Sequence, residues 1–439
     1  MAKEHTGTPG SRQTRAASGD RIWSALGAGL ITGASDDDPS GIATYSQAGA
    51  SFGYQLAWTL LFTYPLMVVI QELSARIGRV TGKGIAGNLR QHYPRWLLHL
   101  IVVLLLCANT LNLGADLGAM AEAARLLVPP VPQSLWIVLF GMVCAVAQIW
   151  LSHERYVAVL KWLTLVLLSY FGVLAVIHLP WAQVLKGVLM PSLSLNGTFW
   201  LMVIAILGTT ISPYLFFWQA GQEVEDTKAH PHRVPLLKNP AQGPSALARI
   251  RLDTLVGMAM SNLVGLAILI TAAATLHQSG THEIQTAAQA AQTLRPIAGE
   301  FAFLLFALGI VGTGLLSIPV LAGSAAYALG EARRWPVGVA RRPLQAKAFY
   351  ATILAATVIG AIANVLSINP MRALVWAAVI NGIVAVPVMT LLMRMAVNAR
   401  VMDRFTVSGP VLWLGWLATG VMAAAATGWA ASWFIGAAQ

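Results

Sequence analysis

The sequence predicts an all-α polytopic membrane protein, built as two five-helix halves of opposite orientation followed by an eleventh helix. Three observations predict it: an apolar composition, a one-sided distribution of Lys and Arg, and two proline-interrupted apolar runs in matching positions.

Of 439 residues, 57% are hydrophobic and only 10% charged, against about 25% charged in soluble globular chains. The mean hydropathy is +0.67, which places the chain in the membrane class before any motif is read. The net charge of +11 does not point to nucleic acid, because the basic residues lie between apolar runs and form no patch interleaved with aromatics. Cys107 and Cys144 fall inside apolar runs and read as small buried hydrophobes. Residues 1–20 are polar, without an apolar core, and read as a disordered cytoplasmic tail. The apolar run after them holds three aspartates and leads straight into further runs, unlike a cleavable signal.

A membrane-spanning helix needs about 20 mainly apolar residues. Runs of that kind lie near 22–48, 54–76, 96–127, 134–151, 157–178, 198–222, 252–276, 299–330, 348–367, 371–395 and 411–435. With the N-terminus in the cytoplasm, 24 of the 28 Lys and Arg residues fall in inside segments. Only Arg125, Lys186, Arg295 and Arg372 fall outside. Cytoplasmic loops carry such an excess, so the expected C-terminus is extracytoplasmic and the expected location is the inner or plasma membrane. The expected division is a tail over 1–20, a core over 21–395 with repeats near 21–178 and 198–395, and an additional helix within 396–439. The Pro-rich segment near 224–249 reads as a flexible connector. His230 and His232 within it read as solvated loop residues, since a metal site needs a third ligand.

The first run is interrupted at Asp38-Pro39-Ser40-Gly41 and the sixth at Thr209-Thr210-Ile211-Ser212-Pro213. Proline removes a backbone donor and pushes the preceding residue out of the α region, so both helices are expected to unwind at Pro39 and Pro213. Each proline alone reads as a packing kink. Interrupted spans at corresponding places in two halves point instead to a midplane binding site, and five spans per half force the halves into inverted topology. Unwound backbone inside a membrane lines a cavity or is buried in protein, and its free carbonyls are hard ligands for a cation.

Acids within spans are functional candidates by default. Asp38, at the break itself, is the leading cation ligand. Asp36 and Asp37 read as vestibule residues on the cytoplasmic side or as a solvated mouth. Asn109, Asn112 and Asp116, spaced i, i+3, i+7, share one face of the third helix and are expected to face the interior, as an ion path or as an interhelical hydrogen-bond network. Glu72 and Glu223 sit near the cytoplasmic ends of their spans, and Asn381 near the middle of the tenth, placed to complete a hydration shell. Glu122 and Glu300 are expected to be solvated at outer ends. No phosphate loop, zinc-spaced cluster or nucleophile triad supports an enzyme.

The stretches DPSGIATYSQAGASFGYQLAW and ELSARIGRVTGKGIAGNLRQHYP, with GTTISPYLFFWQAGQ, GADLG in the third run and RIRLDTLVGMAMSNLVGLAILI in the seventh, resemble the Nramp family of divalent-metal transporters. The resemblance covers about 22–395 and implies a LeuT-like inverted-repeat fold and a divalent cation as cargo, with no cofactor and no obligate protein partner. It also exposes departures. The family's first motif is Asp-Pro-Gly-Asn; here the Asn position is Gly41. The second is Met-Pro-His; here it is Ser212-Pro213-Tyr214. Ser212 offers hard oxygen where the family has soft sulfur, and Ile211 offers no side-chain ligand, so discrimination against Mg²⁺ should be lost. The missing Asn and Met side chains are expected to widen the site for a hydrated ion. The family's histidines in the inner half of the sixth helix are replaced by Tyr214 and Gln219, and the acid three residues after Asp116 by Ala119, leaving Asp116 without partners. These features resemble the Nramp-related magnesium transporter branch and imply import of Mg²⁺, with Mn²⁺ accepted, by alternating access without proton coupling. A proton-coupled Mn²⁺/Fe²⁺ symporter is the alternative. A non-transporting Nramp-like sensor would be expected to carry a soluble domain, and a Na⁺-coupled amino-acid carrier to carry a basic counterpart to Asp38.

Overall fold

The computed structural model describes residues 32–33, 35–150, 165–194, 196–230, 232–364 and 369–436. The expected tail over 1–20 and the stretches 22–31 and 157–164 of the first and fifth runs lie outside the described residues. Among those described, every apolar run carries helix and no strand occurs. In chain order the helices are α1 (Pro39–Phe52), α2 (Ala57–Thr81), α3 (Ile85–His92), α4 (Arg95–Leu127), α5 (Gln133–Trp150), α6 (Ser169–Val176) and α7 (Trp181–Leu189). After these come α8 (Gly197–Thr210), α9 (Pro213–Ala229), α10 (Gly243–Ala272), α11 (Ala302–Arg333), α12 (Lys347–Ala363), α13 (Pro370–Ala396) and α14 (Pro410–Gly436).

Helices α1, α8 and α9 form the inner layer, and the ends of the helices follow local chemistry. Helix α2 stops at Gly82, whose φ of 68° is the left-handed conformation that glycine adopts without strain. Helix α13 starts at Asn369, whose side chain accepts from the Arg372 amide. The helices α1, α8 and α9 are buried on nearly all sides. They are packed by α10, α13 and α2, while α4 is gripped by α11, α12 and α13. The α8–α13 crossing depends on glycine: a Cβ at Gly208 would lie 2.0 Å from the Ala378 carbonyl oxygen. Small residues that let backbones approach this closely drive helix association in lipid, where burial of apolar surface gains nothing. Outward faces carry Leu100, Val103, Leu111, Val138, Met142 and Trp413, all more than a third exposed, as lipid contact requires.

Three sequence expectations change here. Cys107 is exposed on α4 and only Cys144 is buried, because the helix turns position 107 outward. The segment 224–249 is largely helical, as α9 runs to Ala229 and α10 begins at Gly243. The remaining connector is pinned, with Leu236 and Leu237 amides bonded to the Arg79 and Val80 carbonyls. Glu122 is not solvated: it accepts at 2.8 Å from the Ala287 amide at the start of the short helix Ala287–Ala291. Glu300 is solvent-exposed as expected.

Candidate metal-ion site

Both interrupted runs open in the same way. The chain is helical at Thr32, Gly33, Ser35 and Asp36, bends at Asp37, and restarts at Pro39. Asp38 is the N-cap in extended conformation (φ −69°, ψ 172°) with proline in the first turn after it. Ser212 is likewise an extended N-cap (φ −81°, ψ 132°), again followed by proline. Proline's fixed φ suits the first helical position and forbids the residue before it from continuing a helix, so one local rule makes both breaks. Each break sets the electropositive start of one helix beside the electronegative end of another.

The two caps act differently. Asp38 Oδ1 caps forward, accepting from the Gly41 amide at 2.8 Å and the Ser40 hydroxyl at 2.6 Å. The Ser212 hydroxyl donates backward, to the carbonyls of Gly208 at 2.7 Å and Thr209 at 3.1 Å. Its lone pairs stay available to a cation, since a hydroxyl has one proton and two acceptor sites. Asp38 Oδ2 accepts from the Asn112 amide of α4 at 3.1 Å and faces the Tyr214 hydroxyl at 3.4 Å. That hydroxyl makes its shorter bond, 3.1 Å, to the Ser35 carbonyl. Gly41 lies against Thr209 across the two breaks: a Cβ at Gly41 would be 3.2 Å from both Thr209 Oγ1 and the Asp36 carbonyl oxygen. Asn381 of α13 is 1% exposed, and neither of its amide atoms has a hydrogen-bond partner. Buried amides without partners are rare, so Asn381 holds two unused polar atoms in the protein interior. Ile211 is buried among apolar residues and brings only its backbone.

The structure revises the surroundings. Asp36 and Asp37 are buried, at 0% and 3% exposure, and do not form a solvated mouth. The Ser261 hydroxyl of α10 donates to Asp36 at 2.6 Å and approaches Asp37 at 3.3 Å. Asp116 accepts from the Ser317 hydroxyl of α11 at 3.0 Å. Asn109 donates to the Leu321 carbonyl at 2.9 Å and to Ser324 Oγ at 2.7 Å. The stripe of Asn109, Asn112 and Asp116 therefore faces the interior as expected, but its middle member reaches the break while the outer two fasten α4 to α11. Glu72 pairs with Arg76, Glu223 pairs with Arg249 at 2.6 Å, and Gln219 accepts from the Thr32 hydroxyl. Sequence reasoning missed Ser40, Ser261 and Ser317. Ser40 stands inside the first motif, and Ser261 lies in the seventh run, where a lone serine among apolar residues was the available signal.

Chemically, the breaks combine one carboxylate, hydroxyls, an amide and backbone carbonyls, all oxygen donors suited to a hard divalent cation. Asp38, Ser212, Thr209 and Tyr214 are each exposed by 2% or less, so these side chains are buried in this conformation.

Comparison with known proteins identifies the family. Residues 29–430 match the Nramp family, described as natural resistance-associated macrophage protein-like. A divalent metal cation transporter, MntH, of Klebsiella pneumoniae strain 342 is 31% identical over 293 residues, covering 64% of this chain and 66% of that protein. MntH of Erwinia tasmaniensis is 30% identical over 310 residues, covering 68% of this chain and 70% of that one. The aligned part thus spans about two thirds of these relatives' own length. Among solved structures, a manganese transporter mutant from Eremococcus coleocola superposes with a TM-score of 0.73 at 16% identity, covering 95% of this chain and 88% of that chain. Mhp1, a nucleobase-cation-symport-1 family transporter in a closed conformation, superposes at 0.53 and 15% identity, covering 94% and 90%. At these identities the likeness is one of fold, and it is the LeuT-like inverted repeat that the family resemblance implied. The chain is a multi-pass membrane protein and belongs to the Nramp family of divalent-metal transporters.

Proposed function

We propose that this protein imports Mg²⁺, and accepts Mn²⁺, across the inner or plasma membrane by alternating access, driven by the membrane potential without proton coupling. The observation that supports the reading is that the two breaks, which meet at Gly41 and Thr209, carry oxygen as their only side-chain donor atom. Asp38 supplies the charge, Thr209, Ser212 and Asn381 supply neutral oxygens, and Gly41 and Ile211 supply backbone. No thioether stands at the second break to favour a soft ion. Mg²⁺ gives up its waters reluctantly, so neutral oxygens that hydrogen-bond to those waters suit it better than direct ligands do. The room for a hydrated ion does not come from the missing Gly41 side chain, because Thr209 and the Asp36 carbonyl close on that position. It has to come from the parting of the two breaks as the site opens.

Tyr214 and Gln219 stand against proton coupling. Tyr214 spends its proton on the Ser35 carbonyl, and neither a tyrosine nor a glutamine exchanges protons near neutral pH. Asp36, Asp37, Asn112 and Asp116 line the path beside the site in this reading, and the ion pairs of Glu72 and Glu223 brace its lower end. Without protons the electrical driving force is sufficient: two charges crossing 100 mV gain about 4.6 kcal/mol, roughly a thousandfold in concentration. The excess of Lys and Arg in alternate loops supports a cytoplasmic N-terminus and an extracytoplasmic C-terminus.

The test is competition. Mn²⁺ uptake into proteoliposomes should fall as Mg²⁺ is raised to comparable concentrations. Mn²⁺ uptake indifferent to a hundredfold excess of Mg²⁺ would return the protein to the proton-coupled Mn²⁺/Fe²⁺ class.

A further inference from the structure

Away from the breaks, a second set of ligand-type atoms gathers where α1 ends against the end of α10. Helix α1 stops at Phe52, so the Ala50 carbonyl belongs to its last turn, where a helix leaves carbonyls without an internal partner and carries its negative dipole end. Two imidazoles converge on that one oxygen: Nδ1 of His277 at 2.7 Å and Nδ1 of His282 at 3.3 Å. Their ring centroids are 4.9 Å apart. Both rings are held in place. His277 ends a π-helical turn, Ala273–His277, that continues α10, a distortion frequent at functional sites. Its ring lies on Gly53, where a Cβ would be 3.1 Å from the His277 Cδ2. The backbone of His282 is tied to α1, its carbonyl accepting from Gln47 Nε2 at 3.0 Å and from Ser51 Oγ at 2.8 Å.

A carbonyl oxygen only accepts, so each imidazole carries its proton on Nδ1 in this arrangement. With the proton moved to Nε2, two nitrogen lone pairs and the carbonyl oxygen face one point. Ligands about 2.1 Å from a shared ion, at right to tetrahedral angles, lie about 3.0–3.4 Å apart; the two nitrogens stand 2.7 and 3.3 Å from the oxygen. Among the described residues no three His, Cys, Asp or Glu side chains gather as a metal site, and here the third ligand is backbone. Imidazole suits Zn, Ni and Cu, whereas Mg²⁺ is served by carboxylate, carbonyl and water. We propose that His277, His282 and the Ala50 carbonyl form a binding site for a transition-metal dication of the Zn²⁺ class, with water completing the shell. His282 is solvent-exposed, which gives the ion an entry. A bound ion ties the far end of α1, the second half of the first broken helix, to the end of α10, and so slows a cycle in which the breaks part. That consequence rests on the alternating-access reading above, whereas binding does not.

The experiment titrates the full chain in nanodiscs with Zn²⁺ and follows binding by calorimetry, in the presence of excess Mg²⁺. Loss of even an outer-shell partner costs about 10–100-fold in metal affinity, so His282→Ala and His277→Ala should each weaken the tightest Zn²⁺ binding by about tenfold or more. Asp38→Asn, which alters the break and not this end of α1, should bind Zn²⁺ like the parent. His282 is exposed, so its variant decides the matter if His277→Ala fails to fold. In proteoliposomes, Zn²⁺ added outside should lower the maximal rate of Mn²⁺ influx in the parent and leave it unchanged in His282→Ala. No Zn²⁺ binding in the parent, an affinity unchanged in His282→Ala, or an affinity lost in Asp38→Asn overturns the site. Binding that leaves the maximal rate untouched overturns the clamp. Zn²⁺ binding that depends on His282 in a protein without Mn²⁺ influx upholds the site and counts against the transport reading instead.

Discussion

Asp38→Asn removes one charge from the break and leaves almost everything else in place. Asparagine caps a helix start as well as aspartate does, so its Oδ1 keeps the bonds from the Gly41 amide and Ser40 hydroxyl. Its new amide meets Asn112, which can turn over to offer oxygen, and the Tyr214 hydroxyl keeps its shorter bond to Ser35. The fold is thus expected to survive. The cargo loses more. Two unit charges 4 Å apart, a separation that leaves room for one water, interact by about 4 kcal/mol at an effective dielectric of about 20, and a divalent ion doubles this to about 8 kcal/mol. If water and the amide dipole recover half, about 4 kcal/mol remains, close to a thousandfold in affinity. Mg²⁺ and Mn²⁺ flux into proteoliposomes should drop to the background of empty vesicles, while the melting temperature stays within a few degrees of the parent. Flux within twofold of the parent in a properly folded variant would refute the placement of the ion at Asp38.

Ser212→Met puts a thioether at the second break, and Mn²⁺ or Cd²⁺ should gain over Mg²⁺ by about tenfold, the equivalent of about 1.4 kcal/mol; competition curves that superpose on the parent would exclude Ser212 from the site. Gly208→Ala drives a methyl into the Ala378 carbonyl, 2.0 Å away, so α8 and α13 must separate at a cost of about 1–3 kcal/mol or more. Gly420→Ala meets nothing within 4 Å and should melt like the parent, and equal melting of the two variants would contradict the close crossing. Arg249→Ala leaves Glu223, whose side chain is 1% exposed, without its partner; removal of one member of a buried pair costs about 3–5 kcal/mol, which thermal melting should register as a drop of several degrees.

The two breaks were legible because their cause is local: a proline dictates the conformation of the residue before it, and Asp38 and Ser212 take the extended form their neighbours require. The inward face of Asn109, Asn112 and Asp116 was legible from helical spacing alone. The environments of Asp36, Asp37 and Asp116 were not, since each depends on a serine more than 200 residues away on another helix. Helical periodicity tells which residues share a face and is silent on what the facing helix brings. The ion pairs show the same division. The partner of Glu72 is four residues along its own helix, where spacing suggests it, whereas Glu223 is met by Arg249 from across a connector. The connector itself read as flexible because its prolines and polar residues suit a loop. Its order comes from Arg79 and Val80 on α2, to which composition gives no clue.

The central claim is that a divalent cation passes the oxygen-lined break at Asp38 without protons. Its most direct test is Mg²⁺ influx into proteoliposomes loaded with a magnesium indicator and a pH dye, under an imposed inside-negative potential. The account predicts influx that rises with the potential, persists when inside and outside pH are equal, and leaves the internal pH unchanged. Internal acidification in proportion to metal entry, or entry of Mn²⁺ with none of Mg²⁺, would contradict it.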